Sequence, residues 1–448
     1  MQRSVRAALL LVAGLVIVPR ISRAQDEAPI VEGDSTVTAS PADTSEKFNL
    51  AKYDNLYAGQ FTPGAGFDLI RTAKGSVNLS VYGLFRYINQ GPPNQTFTDH
   101  LGRVRKVSAR NDLQWQRSFI WITGFFFDPR LRYNVSAWSL LSTQQTLIFG
   151  NLRYLLSEKL TFGVGMGPNL TNRSLQGSWP FWAATDRQMA EEFLRGGFAS
   201  SFWITGKPVG NLYYTGAVNT AISQLGVTAA NDSRDFAYSG SLWWLPTTGE
   251  FGPRKGFGDL EYHQSVATQF GVSAATSRES RYANLNDPPN ATQLRLSDGV
   301  NPFEAGALAD SSTVTRLRYR DFSFDAGAKY RGFALQAEYT YRVLSNFETT
   351  APIPDNQIID RGFFAEAMHM VVPQHLGLYV VTSQIYDQFK RRPWEFAYGA
   401  SFYPYGNRNW RLNLHIIRIE KSPTGSTFGY YTAGQSGTTY SLATDILL

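Results

Sequence analysis

The sequence predicts an all-β protein, namely a transmembrane antiparallel barrel of about sixteen strands with short periplasmic turns, long external loops and one inward-folded loop. Three observations lead to this class. Short stretches of alternating polar and apolar residues recur from residue 77 to residue 448. Turn residues separate these stretches, and short turns alternate with longer polar connections. No stretch is apolar enough for a membrane helix, yet aromatic residues make up 14% of the chain.

The stretch 333–343 shows the alternation best. Its odd-numbered residues are apolar or aromatic and its even-numbered residues are mostly polar, so the strand has one apolar face and one wet face. A closed barrel uses both faces, because lipid contacts its outside and water contacts its inside. Closure also leaves no unpaired backbone edge in the hydrocarbon. The pattern therefore predicts a pore-forming barrel.

The N-terminal region is divided by composition. Two arginines precede an apolar run at 7–18, and residues 22–24 form a small-x-small cleavage site, so residues 1–24 are predicted to be a secretory signal peptide. Residues 25–75 are predicted to form a flexible periplasmic leader and a short hairpin. Residues 76–448 are predicted to form the barrel.

Charge and cysteine content limit the function classes. The chain has 42 basic and 36 acidic residues, and removing the four arginines of the signal peptide leaves 38 basic residues, a net charge of +2. This balance gives no indication of a nucleic-acid partner. The chain has no cysteine, so its stability must come from backbone pairing and packing. On composition alone, a soluble secreted barrel or sandwich fits as well.

Sixteen strands can be delimited, and an even number places both ends of the barrel chain on the periplasmic side. The predicted strands are 77–87, 113–126, 131–139, 147–155, 160–166, 198–205, 212–219, 236–245, 260–273, 322–330, 333–343, 363–372, 376–385, 394–403, 410–419 and 438–448. The longer connections are 88–111, 167–197, 220–235, 276–315, 344–361 and 420–437, and we expect these to be external.

The connection 167–197 is expected to narrow the barrel, because a barrel of this size is too wide for side chains alone to fill. Thr185 to Gln188 resembles a capping box and predicts a short helix over 186–194. We predict that this helix folds inward as a constriction, with Trp179, Phe181 and Trp182 pinning it to the wall. The alternative is a helix lying on the external rim. The polar side of the helix carries Arg187, Glu191 and Glu192.

Strand parity predicts the side chains of the inner wall. The strand positions that face inward carry basic and acidic residues in similar numbers. This predicts a water-filled lumen with an electric field across it, and it does not establish anion selectivity. For any one of them, a solvated wall charge paired with a neighbouring strand is the simpler interpretation. The predicted pore-lining residues are Arg86, Arg132, Glu261, His263, Asp325, Lys329, Glu338, Arg342, Glu395 and Arg411, together with Arg187, Glu191 and Glu192 of the inward loop.

Arg316, Arg318 and Arg320 form a row of basic residues at alternate positions. Whether they face outward or inward depends on whether the strand is regular. They share the parity of Phe322 and Phe324, so an unbroken strand points them outward, where lipopolysaccharide phosphates are available. A bulge near residue 321 would point them inward instead.

Two stretches resemble the phosphate-selective porin O and P family. One runs from Gly66 to Gly75 directly before an alternating strand, and the other runs from Gly163 through Asp186 and Arg187 to Phe198. The resemblance implies a sixteen-stranded, trimeric porin that passes small anions such as phosphate or polyphosphate. It also implies a location in the bacterial outer membrane.

The leading hypothesis is therefore a porin for small hydrophilic solutes, with outer-membrane lipid, lipopolysaccharide and two further copies of the chain as partners. An enzyme is not predicted, because the five histidines are scattered and no His-Glu-x-x-His or Gly-x-Ser-x-Gly motif occurs. No cofactor or metal is predicted for the same reason. The remaining alternative is an adhesin or scaffold acting through long loops such as 276–315.

Overall fold

A computed structural model describes residues 63–140, 145–168, 170–172, 180–222, 235–251, 258–281, 294–425 and 429–448. The predicted signal peptide and most of the predicted leader lie outside these residues, so both stay predictions. No helix among the described residues is both long enough and apolar enough to cross a membrane.

The described residues form nineteen strands and one short helix. In chain order the strands are β1 (Phe67–Thr72), β2 (Gly75–Gly91), β3 (Gln95–Thr98), β4 (Val104–Val107), β5 (Asn111–Phe126), β6 (Asp128–Leu140), β7 (Gln145–Ser157), β8 (Leu160–Pro168), β9 (Phe198–Val209), β10 (Leu212–Asn219), β11 (Ala237–Trp244), β12 (Ala267–Ser280), β13 (Val314–Tyr330), β14 (Phe333–Thr349), β15 (Gln357–Val372), β16 (Leu376–Asp387), β17 (Trp394–Phe402), β18 (Trp410–Glu420) and β19 (Gly437–Leu447). The helix, α1, spans Met189–Leu194 between β8 and β9.

Sixteen of the strands close into one antiparallel barrel. β2 pairs with β5, each of the strands from β5 onward pairs with its successor, and β19 returns to pair with β2. β1 forms a hairpin on the periplasmic end of β2, and β3 and β4 form a separate hairpin in the external connection. The predicted class, an antiparallel barrel of about sixteen strands, is confirmed.

One predicted strand is misplaced. The prediction 260–273 becomes β12 at Ala267–Ser280, and residues 260–266 form a turn. The physical reason is Asp259, whose carboxylate accepts hydrogen bonds from the backbone N–H groups of His263 and Gly332. These bonds curl the chain before β12 begins, although the alternation of residue types continues through the turn.

The two faces of the barrel differ as the alternation predicts. On β14, Leu335 and Tyr339 are exposed, whereas Gln336 and Arg342 are buried. A belt of apolar side chains, each 45–49% exposed, runs around the outside; examples are Phe324, Leu335, Leu378, Val380, Phe396, Leu414 and Leu442. Such a belt is the surface that a bilayer covers.

The longest strands extend beyond the bilayer on the external side. β13 and β14 have 17 residues each, whereas about 9–11 tilted residues cross a membrane. β13 pairs with β12 without interruption through Asp321, so the bulge that would reverse the row of arginines is absent there. Arg318 and Arg320 keep the outward parity of Phe322, and Arg316 lies 3.9 Å from Glu348.

Close packing between β8 and β9 gives a test of the inner wall. A Cβ atom on Gly163 would overlap the ring of Trp203, its cross-strand partner. We expect Gly163→Ala to lower the free energy of unfolding by about 1–3 kcal/mol, because an overpacked wall must shift. Urea unfolding in lipid vesicles, followed by tryptophan fluorescence, measures this change.

Gly216→Ala on β10 is the matched control, because the atom nearest to the added Cβ is Cγ1 of Ile204, at 3.8 Å. Equal unfolding midpoints for the two variants would contradict the packing described for Trp203.

Candidate functional site

Residues 180–197, which we call the inward segment, lie inside the barrel. Their helix α1 contacts the inner faces of β15, β16 and β17, and five of its six residues are buried. The prediction that this loop folds inward is confirmed, and the rim alternative is wrong. Trp179, predicted to help pin the loop, lies outside the described residues.

Two apolar clusters hold the inward segment. In the first, Met189, Phe193 and Leu194 pack with side chains that include Met368 and Val381 of the wall. In the second, Trp182 packs with aromatic and aliphatic residues of β2, β5, β6, β15 and β19. Burying one large apolar side chain contributes roughly 1.5–3 kcal/mol, so these clusters are a major source of attachment. The wall members of the second cluster are Tyr82, Leu84, Phe119, Trp121, Trp138, Phe364, Ala443 and Leu447.

The predicted start of the helix is wrong. The helix spans Met189–Leu194 in place of 186–194, and its N-cap residue, Gln188, makes no capping hydrogen bond with its side chain. The hydroxyl of Thr185, predicted to cap the helix, instead lies 2.6 Å from the Tyr430 hydroxyl. The capping groups come from the barrel wall.

Wall side chains of β16 and β17 satisfy the first turn of α1. The N–H of Met189 donates to the Glu395 carboxylate at 2.7 Å, and the N–H of Ala190 donates to the Ser383 hydroxyl at 3.3 Å. The first four N–H groups of a helix have no partner within the helix, so these acceptors replace a local cap. Tyr431 donates to the second oxygen of Glu395 at 2.8 Å and holds the carboxylate in place.

Wall side chains of β13 and β14 satisfy the other end. Arg342 donates to the carbonyl of Phe193 at 2.9 Å, and the Tyr319 hydroxyl donates to the carbonyl of Leu194 at 3.2 Å. A carboxylate at the N-terminus and a guanidinium at the C-terminus both complement the helix dipole. Because six residues are too few for a stable isolated helix, the wall determines that α1 forms.

Arginines also hold the extended part of the inward segment. Asp186 accepts hydrogen bonds from Arg86 at 2.6 Å and from Arg117 at 2.7 Å. Arg411 donates to the carbonyl groups of Trp182, Ala183 and Ala184. These guanidinium groups thus bind the peptide backbone of the segment as well as a carboxylate.

The predicted inner-wall arginines nearest the segment are therefore buried and paired. Arg86, Arg342 and Arg411 are at most 1% exposed. Arg342 pairs with Asp360 at 2.7 Å, and Arg411 pairs with Asp445 at 2.8 Å across the neighbouring strand. The simple interpretation of a solvated wall charge does not describe them, because the segment excludes water from their side of the lumen.

The predicted polar residues of the helix lie close together. Arg187 is 3.8 Å from Glu191 and 3.7 Å from Glu192, and its guanidinium lies 4.7 Å from the Trp182 ring centre. Burial, together with repulsion from Arg195, lowers the pKa of Arg187 to about 9. Arg187 and Glu191 are buried, and Glu192 is partly buried and bonded to Arg195 at 2.8 Å.

Other predicted residues lie on the inner face away from α1. Arg132 on β6 is directly opposite Arg153 on β7, and Asp325 on β13 is directly opposite Glu338 on β14. These are like-charge pairs at neighbouring positions. The Nζ atom of Lys329 is 3.8 Å from Glu261.

Glu261 and His263 were predicted on a strand and lie in the turn before β12. The Nε2 atom of His263 is 2.7 Å from the Glu250 carboxylate, and its Nδ1 atom contacts Asp259. Ligand atoms of Asp259, Glu261 and His263 all lie within 4.8 Å of one another, which is a geometry that can hold a metal ion. Each ring nitrogen of His263 already has a carboxylate partner, so we describe this group as an acid–histidine cluster of the turn.

Sequence parity missed one central residue, Arg117. β5 has an irregularity where Leu84 pairs with Arg117 and the next residue, Phe85, pairs with Trp115. The odd-numbered residue Leu113 is consequently exposed, whereas Arg117 and Phe119 are buried. A bulge signal in the sequence would have been needed to find this change of face.

Comparisons with known proteins support the fold. OmpT of Vibrio cholerae, expressed in the outer membrane, superposes with a TM-score of 0.53 and 8% identity, covering 85% of this chain and 99% of that chain. The in-vitro folded form of this outer membrane protein gives 0.50 and 9%, with the same coverage. An anion-selective porin from Comamonas acidovorans gives 0.48 and 10%, covering 84% of this chain and 100% of that chain.

At these identities the likeness to the two Vibrio cholerae structures shows the fold alone. No family model matches the sequence, and no curated protein matches it. The resemblance to the phosphate-selective porin O and P family is therefore not confirmed. The closed even-stranded barrel and its exposed apolar belt confirm the predicted location, the bacterial outer membrane.

The wall-supplied cap of α1 can be tested at Glu395. We expect Glu395→Ala to lower the free energy of unfolding by about 1–3 kcal/mol, because the buried Met189 N–H loses its hydrogen-bond acceptor. Urea unfolding in lipid vesicles measures the change. Glu395→Gln is the control, since it keeps an acceptor oxygen and should cost less. Equal stability of the Ala variant and the original protein would contradict the capping role.

The turn that contains His263 gives a pH dependence. Burial lowers the pKa of His263, but the Asp259 and Glu250 carboxylates raise it more, so the net shift is upward from 6.5. A raised pKa stabilises the folded state fully below pH 6.5, and this stabilisation is lost as the pH rises through the higher value. We expect His263→Gln to remove a stability change on the order of 1 kcal/mol between pH 6 and pH 9.

Unfolding free energies at the two pH values check this prediction, and His375→Gln in another short turn is the matched control. A pH dependence that persists in His263→Gln and disappears in His375→Gln would show that the assignment is wrong.

Proposed function

We propose that this barrel is an outer-membrane channel for the passive diffusion of small hydrophilic solutes, with the inward segment as its constriction. The observation that carries the proposal is the attachment of a chain segment inside a closed sixteen-stranded barrel, against β15–β17. A barrel of this size has room that its side chains cannot fill, and a segment held against one side narrows the remaining space.

The wall opposite α1 suggests where solutes pass. The inward side chains of β8–β12 are mainly small and uncharged, and hydroxyl and amide groups there can exchange hydrogen bonds with a passing solute. Each of the side chains named next is at most 9% exposed. They are Thr161, Ser201, Thr205, Thr215, Asn219, Ser239, Ser241, Gln269, Ser273 and Ser277.

We infer that small anions such as phosphate are among these solutes. Arg132 and Arg153 are paired positions on neighbouring strands of the inner wall, and two positive charges so placed give a positive potential that favours an anion nearby. The sequence resemblance to the phosphate-selective porin O and P family supports the same solute class and a trimeric assembly.

Single-channel recording in planar bilayers tests the proposal. We expect discrete conductance steps, and reversal potentials in potassium chloride and potassium phosphate gradients that show anion preference. In Arg132→Gln/Arg153→Gln the ratio of anion to cation permeability should fall several-fold, because the positive potential of the wall is lost.

Arg316→Gln/Arg320→Gln is the matched control, since it removes the same charge from residues outside the lumen. Conductance without anion preference would leave a general diffusion channel. Absence of conductance in folded protein would overturn the channel and favour the adhesin or scaffold alternative.

A further inference from the structure

A second site lies on the outside of the barrel at its external end. A cavity of about 450 Å³ opens where β16, β17 and β18 reach the rim, and we call it the rim cavity. Two aromatic and four basic side chains line it: Tyr386, Trp394, Lys390, Arg391, Arg392 and Lys421. Glu420 is the acidic group of the lining.

The rim cavity faces lipid. Tyr386, Trp394 and Glu420 have the outward parity of β16, β17 and β18. Directly along the same outward faces, toward the middle of the barrel, lie the exposed apolar side chains of Val380 and Phe396. Because the long connections are external, this end of the barrel lies at the outer leaflet. Tyr and Trp side chains are typical of the interface between headgroups and acyl chains.

Three of the four cations are available to a ligand. In the ranges that the structure describes, the side chains of Lys390, Arg392 and Lys421 have no ion pair and no hydrogen-bond acceptor, and all three are exposed. Arg391 differs, because it donates to the carbonyl of Thr98 at 2.7 Å. The outward Arg278 also differs, because Glu348 lies 2.8 Å from it.

The carboxylate of Asp387, beside the turn, does not neutralise these cations. One oxygen of Asp387 accepts the backbone N–H groups of Arg391 at 2.9 Å and Arg392 at 3.1 Å. Its other oxygen accepts the hydroxyl of Ser297 at 2.5 Å. Asp387 therefore shapes the turn over residues 388–393, and the positive charge of the side chains remains directed at the rim cavity.

The three residues that carry the available cations have an unusual backbone conformation. Lys390, Arg392 and Lys421 all have positive φ values, of 58°, 53° and 55°. Residues other than glycine rarely adopt this conformation unless neighbouring bonds enforce it. The side chain of Gln384 donates to the carbonyl of Pro393 at 3.0 Å, and Ser436 accepts the N–H of Lys421 at 3.0 Å. These hydrogen bonds thus hold the backbone of the two turns in place without a ligand.

We propose that the rim cavity binds the phosphate-bearing headgroup of an outer-leaflet lipid. Lysine and arginine side chains bind phosphate oxygens through charge-assisted hydrogen bonds. Tyr386 and Trp394 contact the region between headgroup and chains, and the apolar strand faces of β16 and β17 cover the acyl chains. This site is independent of the channel function, so it stands whether or not the barrel conducts.

Native mass spectrometry of the full barrel in detergent tests the site, with diphosphorylated lipid A as the probe. We expect the original protein to retain one lipid A molecule. Lys390→Gln/Arg392→Gln/Lys421→Gln should reduce retention at least tenfold, while Lys390→Arg/Lys421→Arg should keep it. Lys159→Gln/Lys207→Gln/Arg331→Gln, with the same charge change at the periplasmic turns, is the matched control. Slower migration after heating in SDS gels verifies that every variant was folded.

Two further arms separate the sources of phosphate. Lipid A without its phosphates should bind at least tenfold more weakly, and millimolar inorganic phosphate should not displace the intact lipid. Equal retention by the Gln triple variant and the original protein overturns the proposal. An equal loss in the periplasmic control also overturns it, because the effect would then be one of net charge. Displacement by inorganic phosphate would identify a free-anion site and contradict a lipid site.

Discussion

The peptide N–H and C=O groups of the inward segment need hydrogen-bond partners inside the barrel. This requirement determines how the interior of the barrel is arranged. A strand wall uses its backbone hydrogen bonds between neighbouring strands, so it offers only side chains to a segment that enters the lumen. Glu395 and Ser383 accept the first amides of α1, and Arg342 and Tyr319 donate to its last carbonyls. The polar inner wall thus serves as the capping partner that a six-residue helix cannot supply for itself.

This use of the wall divides its charges into two groups. Near the segment, Arg411 bridges the wall carboxylate of Asp445 and the carbonyls of residues 182–184, and Arg342 bridges Asp360 and the carbonyl of Phe193. Arg86 and Arg117 instead pair with Asp186 of the segment itself. Removing one partner of such a buried pair strongly destabilises the protein, because the other charge is left uncompensated. Farther away, Arg132 and Arg153 occupy paired positions of β6 and β7 on the inner face. The first group attaches the inward segment to the wall, whereas the proposed anion preference rests on the second group.

The alternation of residue types was sufficient to locate the barrel strands, because lipid outside and a polar interior impose a period of two on each of them. It failed where local geometry breaks that period. The irregularity in β5 moves Arg117 to the inside, and the hydrogen bonds of Asp259 turn the chain before β12. Neither feature changes the pattern of residue types, so neither is visible without coordinates.

The site was predictable in location and not in its contacts. The expected width of the barrel and the short helical signal indicated an inward loop, but the residues that cap α1 are far away in sequence; Met189 and Glu395 are 206 positions apart. The predicted cap at Thr185 was wrong for the same reason, since the Tyr430 hydroxyl, 245 positions away, bonds to the Thr185 hydroxyl. Partners at such separations depend on the register of the closed barrel.

Amide hydrogen exchange of the folded barrel in lipid vesicles tests this account most directly. If the wall caps the inward segment, the amides of Met189 and Ala190 exchange as slowly as the amides of β16 and β17. Exchange of these two amides within seconds, at the rate of an unstructured peptide of the same sequence, would show that the wall does not hold the segment.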